Sequence, residues 1–291
     1  MSEIIFNLEN LYQTGRAKLK EAGIEEADLD AWYLLEFITG VSKASYYGNP
    51  KAEVGTEKAE AYEKALEKRT EHIPLQHITG SQCFMGYEFV VNENVLVPRQ
   101  DTENLVEEAY AHIKKKLKET KGEKIKVLDV CTGSGCIIIS LRKLVEEIEG
   151  SGVDISDKAL EVAKENADRF QVPVTFEKSD LFKKVEDCYD VIVSNPPYIK
   201  TAVIEELAEE VRLHDPYIAL DGKEDGLYFY RKIINDAKKH LKRGGALFFE
   251  IGHDQAEDVS ALLLAAGYEK IEVKKDLAGL DRVVSALYNK E

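Results

Sequence analysis

From about residue 104 onward the chain alternates helical periodicity with short apolar, β-branched runs, a pattern that confines it to an α/β architecture. Strands are expected near 125–130, 150–154, 174–179, 189–194, 245–251, 269–275 and 282–288. The last two lie too close together for a crossover helix, so they are expected to pair antiparallel. The expected fold is a seven-stranded, mostly parallel, doubly wound sheet with one reversed strand, placed at an edge. A smaller helical bundle precedes it.

That bundle is read over residues 1–75. Leu8, Leu11, Tyr12 and Leu19 fall on one helical face. Leu29, Trp32, Tyr33, Leu34, Phe37 and Ile38 form a second apolar segment, ended by Gly40. Thr56 is the expected N-cap of a third helix with Ala59, Tyr62, Leu66 and Arg69 on its inner face. Residues 76–103 read as a linker carrying a hairpin, with Gly86 central to Phe84–Val91, and the catalytic domain spans 104–291.

The strand over 189–194 stops abruptly at Asn195-Pro196-Pro197-Tyr198. Neither proline has a backbone N–H, and each restrains the residue before it to extended geometry. The carbonyls of Asn195 and Pro196 are therefore expected outside the sheet ladder, beside the Asn195 amide and a flat ring. Such a set suits a planar –NH2: two oxygens accept its hydrogens while Tyr198 stacks on its face. A nitrogen held in this way aims its lone pair in one direction, as an in-line methyl transfer requires.

Upstream, Ile125–Val130 runs into Cys131-Thr132-Gly133-Ser134-Gly135 and then an apolar helical segment. Glycines at a strand–helix junction let the backbone approach a ligand closely. The next strand ends at Asp154, about 20 residues beyond Gly135, a spacing that suits hydrogen bonds from ribose hydroxyls. NAD competes on this pattern. However, Ile138 stands where the third glycine of the dinucleotide fingerprint belongs, so the pyrophosphate cradle is missing and S-adenosylmethionine fits better. Asp180, closing the third strand, is placed to accept from an adenine amino group while Leu181 packs on the ring. Alone, Asp180 reads equally well as a helix N-cap.

The formal net charge is −15, which argues against tight sequence-independent binding to nucleic acid. The four cysteines (Cys83, Cys131, Cys136, Cys188) form neither a CxxC pair nor a zinc spacing, the usage expected of reduced thiols in a cytoplasmic protein. No apolar run approaches bilayer-spanning length, and Met1 opens no signal-peptide pattern. His253 and the acidic residues Glu205, Glu206, Glu209 and Glu210 read as a turn residue and a solvated helix face.

Together these motifs resemble the class I S-adenosylmethionine-dependent methyltransferases acting on planar amino groups. Pro74–Gly80, Val97–Glu103 and Asp225–Tyr230 narrow the likeness to the peptide chain release factor glutamine N5-methyltransferases, over almost the whole chain. The resemblance implies a substrate glutamine in a Gly-Gly-Gln loop of a release factor. It implies a cofactor held by Asp129, the turn Cys131 to Gly135, Asp154 with Ile155, Asp180 with Leu181, and Asn195. Asn195, Pro196 and Tyr198 take the catalytic role, and Pro197, Arg99 and Glu103 join them toward the substrate. No metal and no DNA or membrane partner is implied. The family more often has Gly where Cys131 stands and Pro where Gln100 stands, which removes a backbone restraint beside Arg99. With no His–carboxylate pair or nucleophilic cysteine suitably placed, positioning of the amide is the expected source of rate.

Three other readings share parts of this pattern. A glutamine methyltransferase for a ribosomal protein would use the same active-site motif. An adenine-N6 DNA methyltransferase would need base flipping and a basic surface, against the net charge. A binding protein that had lost activity would not need Asn195 and the glycine turn intact.

Overall fold

The computed structural model describes residues 6–120 and 123–289; Met1 lies outside them. The chain divides into two compact units, Met1–Gly80 with Ala208–His214, and Ser81–Leu207 with Asp215–Glu291.

The first unit contains β1 (Phe6–Asn7), α1 (Leu8–Glu21), α2 (Ala27–Thr39), α3 (Lys43–Gly48), β2 (Glu53–Val54), α4 (Thr56–Thr70) and α5 (Leu75–Thr79). Leu19, Leu34, Leu35, Tyr62 and Leu66 are fully buried in its core. Gly40 ends α2 in the left-handed conformation at φ 74°, as expected of a glycine at that position. Thr56 is not a cap: Gly55 occupies that place and Thr56 is the first helical residue. Ala59, Tyr62, Leu66 and Arg69 all point inward. The buried Arg69 guanidinium pairs with Asp30 at 2.7 Å and with Glu210 at 2.7 Å. Glu209 pairs with His72 at 3.0 Å, so the acidic stretch is not one solvated face.

The second unit begins with the hairpin of β3 (Ser81–Phe84) and β4 (Tyr87–Val90) and continues through α6 (Asp101–Glu119). Then come β5 (Ile125–Val130), α7 (Cys136–Leu144), β6 (Ile148–Asp154), α8 (Asp157–Phe170), β7 (Val174–Lys178) and β8 (Tyr189–Ser194). A 3₁₀ turn (Thr201–Glu206) precedes α9 (Glu209–His214), which belongs to the first unit, and α10 (Tyr217–Leu220). The chain closes with α11 (Tyr228–His240), β9 (Leu241–Glu250), α12 (Ala256–Ala265), β10 (Glu269–Lys275) and β11 (Asp281–Tyr288).

The sheet order is β10-β11-β9-β8-β5-β6-β7. It is doubly wound with one reversed strand, as expected, but that strand is not at the edge. β11 pairs antiparallel with both β9 and β10, so β10 forms the edge. The α12 crossover carries the chain past one strand position, and the hairpin returns β11 into the gap. Both faces of the sheet are covered. Val127, Val191 and Val193 pack with α6 and α7, while Leu128, Val130 and Ile192 pack with α11 and α12. Burial on both sides explains why these strands read as continuous apolar runs.

One buried side chain fastens the hairpin to the rest of this unit. Asn166, on α8 and 0% exposed, donates to the carbonyls of Val90 and Ser134 at 3.0 Å each. Its Oδ1 accepts from the Val90 N–H at 2.7 Å. Asn166→Ala strands all three backbone groups, so a loss of about 2–4 kcal/mol is expected. Chemical denaturation measures it, and a change within about 0.5 kcal/mol, typical of a neutral surface substitution, would exclude the fastening role.

Candidate active site

The winding direction reverses between β5 and β8, which are neighbours in the sheet though β6 and β7 intervene in sequence. A crevice opens at such a switch point beyond the carboxyl ends of the strands. The cavity found there holds about 1020 Å³ of space, counting its open mouth, enough for a nucleoside-sized ligand. Its wall takes Cys131, Thr132, Gly133 and Ser134 after β5, then Asp154 and Ile155 after β6. Asp180 and Leu181 follow β7, Asn195 and Pro197 follow β8, and Arg99 and Thr102 complete it from the start of α6 and the loop before.

The turn after β5 is built on local bonds. Gly133 and Gly135 adopt positive φ, 54° and 78°. Asp129, fully buried beneath the turn, accepts from the Thr132 hydroxyl at 2.6 Å, and burial raises its pKa to about 7. Asp154 Oδ2 accepts from the Gly133 N–H and Oδ1 from the Ser156 N–H, both at 2.9 Å. Burial raises the Asp154 pKa, while these N–H groups oppose that by stabilising its charge. A carboxylate has about four lone-pair sites, so two remain for ligand hydroxyls. Asp180 forms an ion pair with Lys183 at 2.6 Å.

After β8, Ser194 donates to the Val130 carbonyl at 2.6 Å and ties the two strand ends together. The following backbone is clamped. Gln255 Nε2 donates to the Tyr198 carbonyl at 3.0 Å, and the Gly222 N–H donates to the Ile199 carbonyl at 2.8 Å. A Cβ on Gly222 would lie 2.7 Å from the Tyr198 backbone, and one on Gly226 would lie 2.5 Å from its carbonyl oxygen. Only glycine permits that approach. The Asp225–Tyr230 motif thus shapes the loop after β8, and its Phe229 reaches the cavity wall.

Five expected site residues do not line the cavity: Asp129, Gly135, Pro196, Tyr198 and Glu103. Asp129 and Gly135 shape the turn from behind. Glu103 Oε1 accepts from the Met85 N–H at 2.6 Å, in the hairpin turn. The Tyr198 hydroxyl donates to Glu250 Oε1 at 3.4 Å, and burial raises its pKa. Arg99 pairs with Asp215 at 3.0 Å, inside the second unit. His253 is exposed in the turn after β9.

A family model described as the PrmC N-terminal domain matches residues 10–80, and one described as the methyltransferase small domain matches residues 106–214. A release factor glutamine methyltransferase from Geobacter sulfurreducens is 38% identical over 281 residues, 96% of each chain. Another from Bacillus subtilis is 38% identical and covers 94% of each. The chain belongs to the release factor glutamine methyltransferase family. Among solved structures, the catalytic domain of hMettl16, in complex with MAT2A 3'UTR hairpin 6, superposes with a TM-score of 0.55. It covers 83% of this chain and 86% of its own at 14% identity, so that likeness concerns the fold alone.

At Cys131 and Gln100, the two positions where the resemblance led one to expect Gly and Pro, the backbone can be read directly. Cys131 holds φ 62°, a left-handed conformation that favours glycine, and Leu181 across the cavity holds φ 52°. Gln100 holds φ −58°, close to the value proline fixes, so the helix start is kept without the ring.

Residues to which the motifs gave no role sit behind Asn195. The Asn195 Nδ2 donates to the Thr102 hydroxyl at 3.3 Å, and that hydroxyl in turn stabilises the charged form of the Glu250 carboxylate. Glu250 is 2% exposed, and its Oε2 has no hydrogen-bond partner among the described residues. Burial raises its pKa to about 7, against the pull of Thr102 and Arg282. Arg282 is itself held by Asp101 at 3.0 Å and Asp276 at 3.1 Å.

The raised Glu250 pKa has a stability consequence. The unfolded chain releases this proton near 4.5, whereas the folded chain retains it until about 7. Wild-type stability therefore falls as pH rises through that window. Glu250→Gln removes this contribution and leaves that of Asp129 common to both proteins. The variant is expected to gain on wild type by about 1–3 kcal/mol between about pH 5 and pH 7. Denaturation curves at the two pH values measure this, and parallel pH dependences would show that the carboxyl is ionised throughout.

Proposed function

We propose that the protein transfers a methyl group from S-adenosylmethionine to the side-chain amide nitrogen of the glutamine in the Gly-Gly-Gln loop of peptide chain release factors. The observation that carries this reading is the meeting of Asn195 and Pro197 with Asp154 and the glycine turn on one cavity. Family membership supplies the substrate class.

The residues present fit the cofactor. Asp154 keeps two lone-pair sites for ribose hydroxyls, Asp180 offers an acceptor to an adenine amino group, and Leu181, Ile155 and Val95 supply apolar wall. Nothing in the turn demands a pyrophosphate. When bound, the cofactor supplies an electrophilic methyl group on a positive sulfur.

An amide nitrogen is a weak nucleophile because its lone pair is delocalised into the carbonyl. Asn195 Oδ1 and the Pro196 carbonyl accept the two amide hydrogens and fix the direction of the lone pair. Orientation of this kind can be worth up to roughly 7–11 kcal/mol. The nitrogen loses its proton after the transfer, when it is strongly acidic. The first unit serves as the docking domain for the release factor.

Asp154→Ala is expected to weaken S-adenosylmethionine binding by about 1.5–3 kcal/mol, the value of charge-assisted hydrogen bonds. Calorimetry tests this, and unchanged affinity would remove Asp154 from the cofactor site. Asn195→Ala is expected to lower the methylation rate at least roughly a hundredfold, about 2.7 kcal/mol, with a much smaller change in cofactor affinity. Intact-mass analysis reads the reaction on wild-type release factor and on a factor with Glu in place of the loop Gln. Only the former should gain a methyl group. Near-wild-type turnover by Asn195→Ala, or modification of the Glu-containing factor at that position, would refute the mechanism, and exclusive modification of a ribosomal protein would refute the substrate.

A further inference from the structure

We infer that the cavity mouth is flanked by an apolar docking surface, formed by Tyr217 and Ile218 of α10 with Leu277 and Leu280 of the turn between β10 and β11. It receives apolar side chains of the release factor that flank the Gly-Gly-Gln loop. The inference rests on the proposed function and deepens it, naming where the second unit meets its protein substrate.

Sheet topology puts both pieces on the edge from which the cavity opens. β11 is antiparallel to β9 and to β10, so β10 runs in the direction of β9 and β8. The turn that follows β10 therefore leaves the sheet at the carboxyl ends of the parallel strands. One short segment, Arg99 to Asp101 at the start of α6, ties both pieces to the cavity wall. Arg99 pairs with Asp215, two residues before α10, at 3.0 Å. Asp101 pairs at 3.0 Å with Arg282, which also holds Asp276 of the turn at 3.1 Å. Arg99 lines the cavity, and so does Ile218, although 55% of Ile218 is exposed. The apolar surface is thus continuous with the cavity wall.

The turn presents its leucines on a fixed backbone. Asp276 Oδ1 accepts from the Ala278 and Leu280 N–H groups, both at 2.9 Å, and the Asp276 N–H donates to the Leu280 carbonyl at 2.8 Å. Held there, Leu277 is fully exposed, Leu280 is 45% exposed and Tyr217 is 54% exposed. Single exposed apolar residues are ordinary on a protein surface, but four gathered at one mouth on braced backbone mark an interaction site. The charges beside them, Arg99 with Asp215 and Arg282 with Asp101 and Asp276, are paired within the surface. A partner is therefore met mainly by apolar atoms.

The proposed chemistry identifies that partner. A glutamine side chain is short, so its amide reaches Asn195 only when the loop backbone comes to the mouth. The folded domain that carries the loop must then rest on the surface around the mouth. The two glycines before the glutamine have no side chains to be held, so grip must come from residues beyond them.

The test compares wild type, Leu277→Ser, Tyr217→Ser and Leu277→Met on release factor, with kcat and KM measured separately. Calorimetry gives the affinity of each protein for the factor and for S-adenosylmethionine. Neither Leu277 nor Tyr217 lines the cavity. Each serine variant should raise KM and weaken factor binding roughly fivefold or more, the effect of removing a large apolar side chain that the partner covers. Turnover at saturating factor and cofactor affinity should stay at wild-type values. Leu277→Met, which keeps apolar volume, should bind the factor as wild type does.

Unchanged KM and factor affinity in either serine variant would overturn the surface and leave the proposed function standing. Cofactor affinity lost together with factor affinity would show that the turn supports the cavity rather than a partner, which also overturns the inference. Sedimentation of wild type as a dimer, with Leu277→Ser monomeric, would assign the surface to a second copy of this chain and overturn it too. A wild type that binds release factor without methylating it would instead overturn the functional reading, and the factor affinities of the variants would still decide the docking surface.

Discussion

The site depends on the place where β8 is forced to stop. Two consecutive prolines remove two ladder donors, so the sheet cannot continue past Ser194 and the chain must leave it. That break falls beside β5, where the winding direction reverses and a crevice is already open. A strand ending elsewhere in the sheet would deliver its freed carbonyls to a covered face. Here Asn195, the first residue past the break, is delivered to a cavity. Ser194, bonded to the Val130 carbonyl, keeps the two strand ends level, so the glycine turn after β5 and Asn195 after β8 share one wall.

A chain segment freed from a sheet has also lost the bonds that would hold it still. The structure replaces them from two distant stretches. Gln255 takes the Tyr198 carbonyl, Gly222 donates to Ile199, and Gly226 comes within a distance no side chain would allow. Behind the loop lies a buried carboxylate, Glu250, whose burial raises its pKa to about 7. A polar group in such a place costs stability unless its bonds are met. Its cost here falls on the loop that the proposed chemistry needs fixed, with the Tyr198 hydroxyl turned toward it.

Much of this was legible in the sequence because its causes are local. Apolar β-branched runs gave the sheet strands, and Gly133 and Gly135 gave the turn. The acidic residue ending β6 and the proline pair after β8 are likewise properties of short segments. Asn166, Thr102, Glu250 and Gln255 were not legible as parts of the site. Each acts on a residue far away in sequence, and each looks locally like an ordinary helix or strand-end residue. The same limit applies to β11. Local pattern shows that it pairs with β10, but only the packed sheet shows that it inserts between β10 and β9. Thr56 illustrates a smaller failure, since residue preference favoured it as a cap over the Gly55 that takes the position.

The two non-glycine residues in left-handed conformation on the cavity wall, Cys131 and Leu181, complete the physical account. Both lie beyond the carboxyl end of a parallel strand, Cys131 directly after β5 and Leu181 three residues after β7. Left-handed geometry costs a non-glycine residue roughly 1–2 kcal/mol, so surrounding contacts must hold it. For Cys131 they include the buried Asp129 beneath the turn and Asp154 on the Gly133 N–H. For Leu181 they include Ser179, whose hydroxyl accepts from the Lys184 N–H at 3.0 Å and closes the loop below it. The polar residues of the turns thus have two tasks, holding strained backbone and presenting acceptors to the cavity. Asp154 holds the turn with both carboxylate oxygens, one on the Gly133 N–H and one on the Ser156 N–H, while lining the cavity.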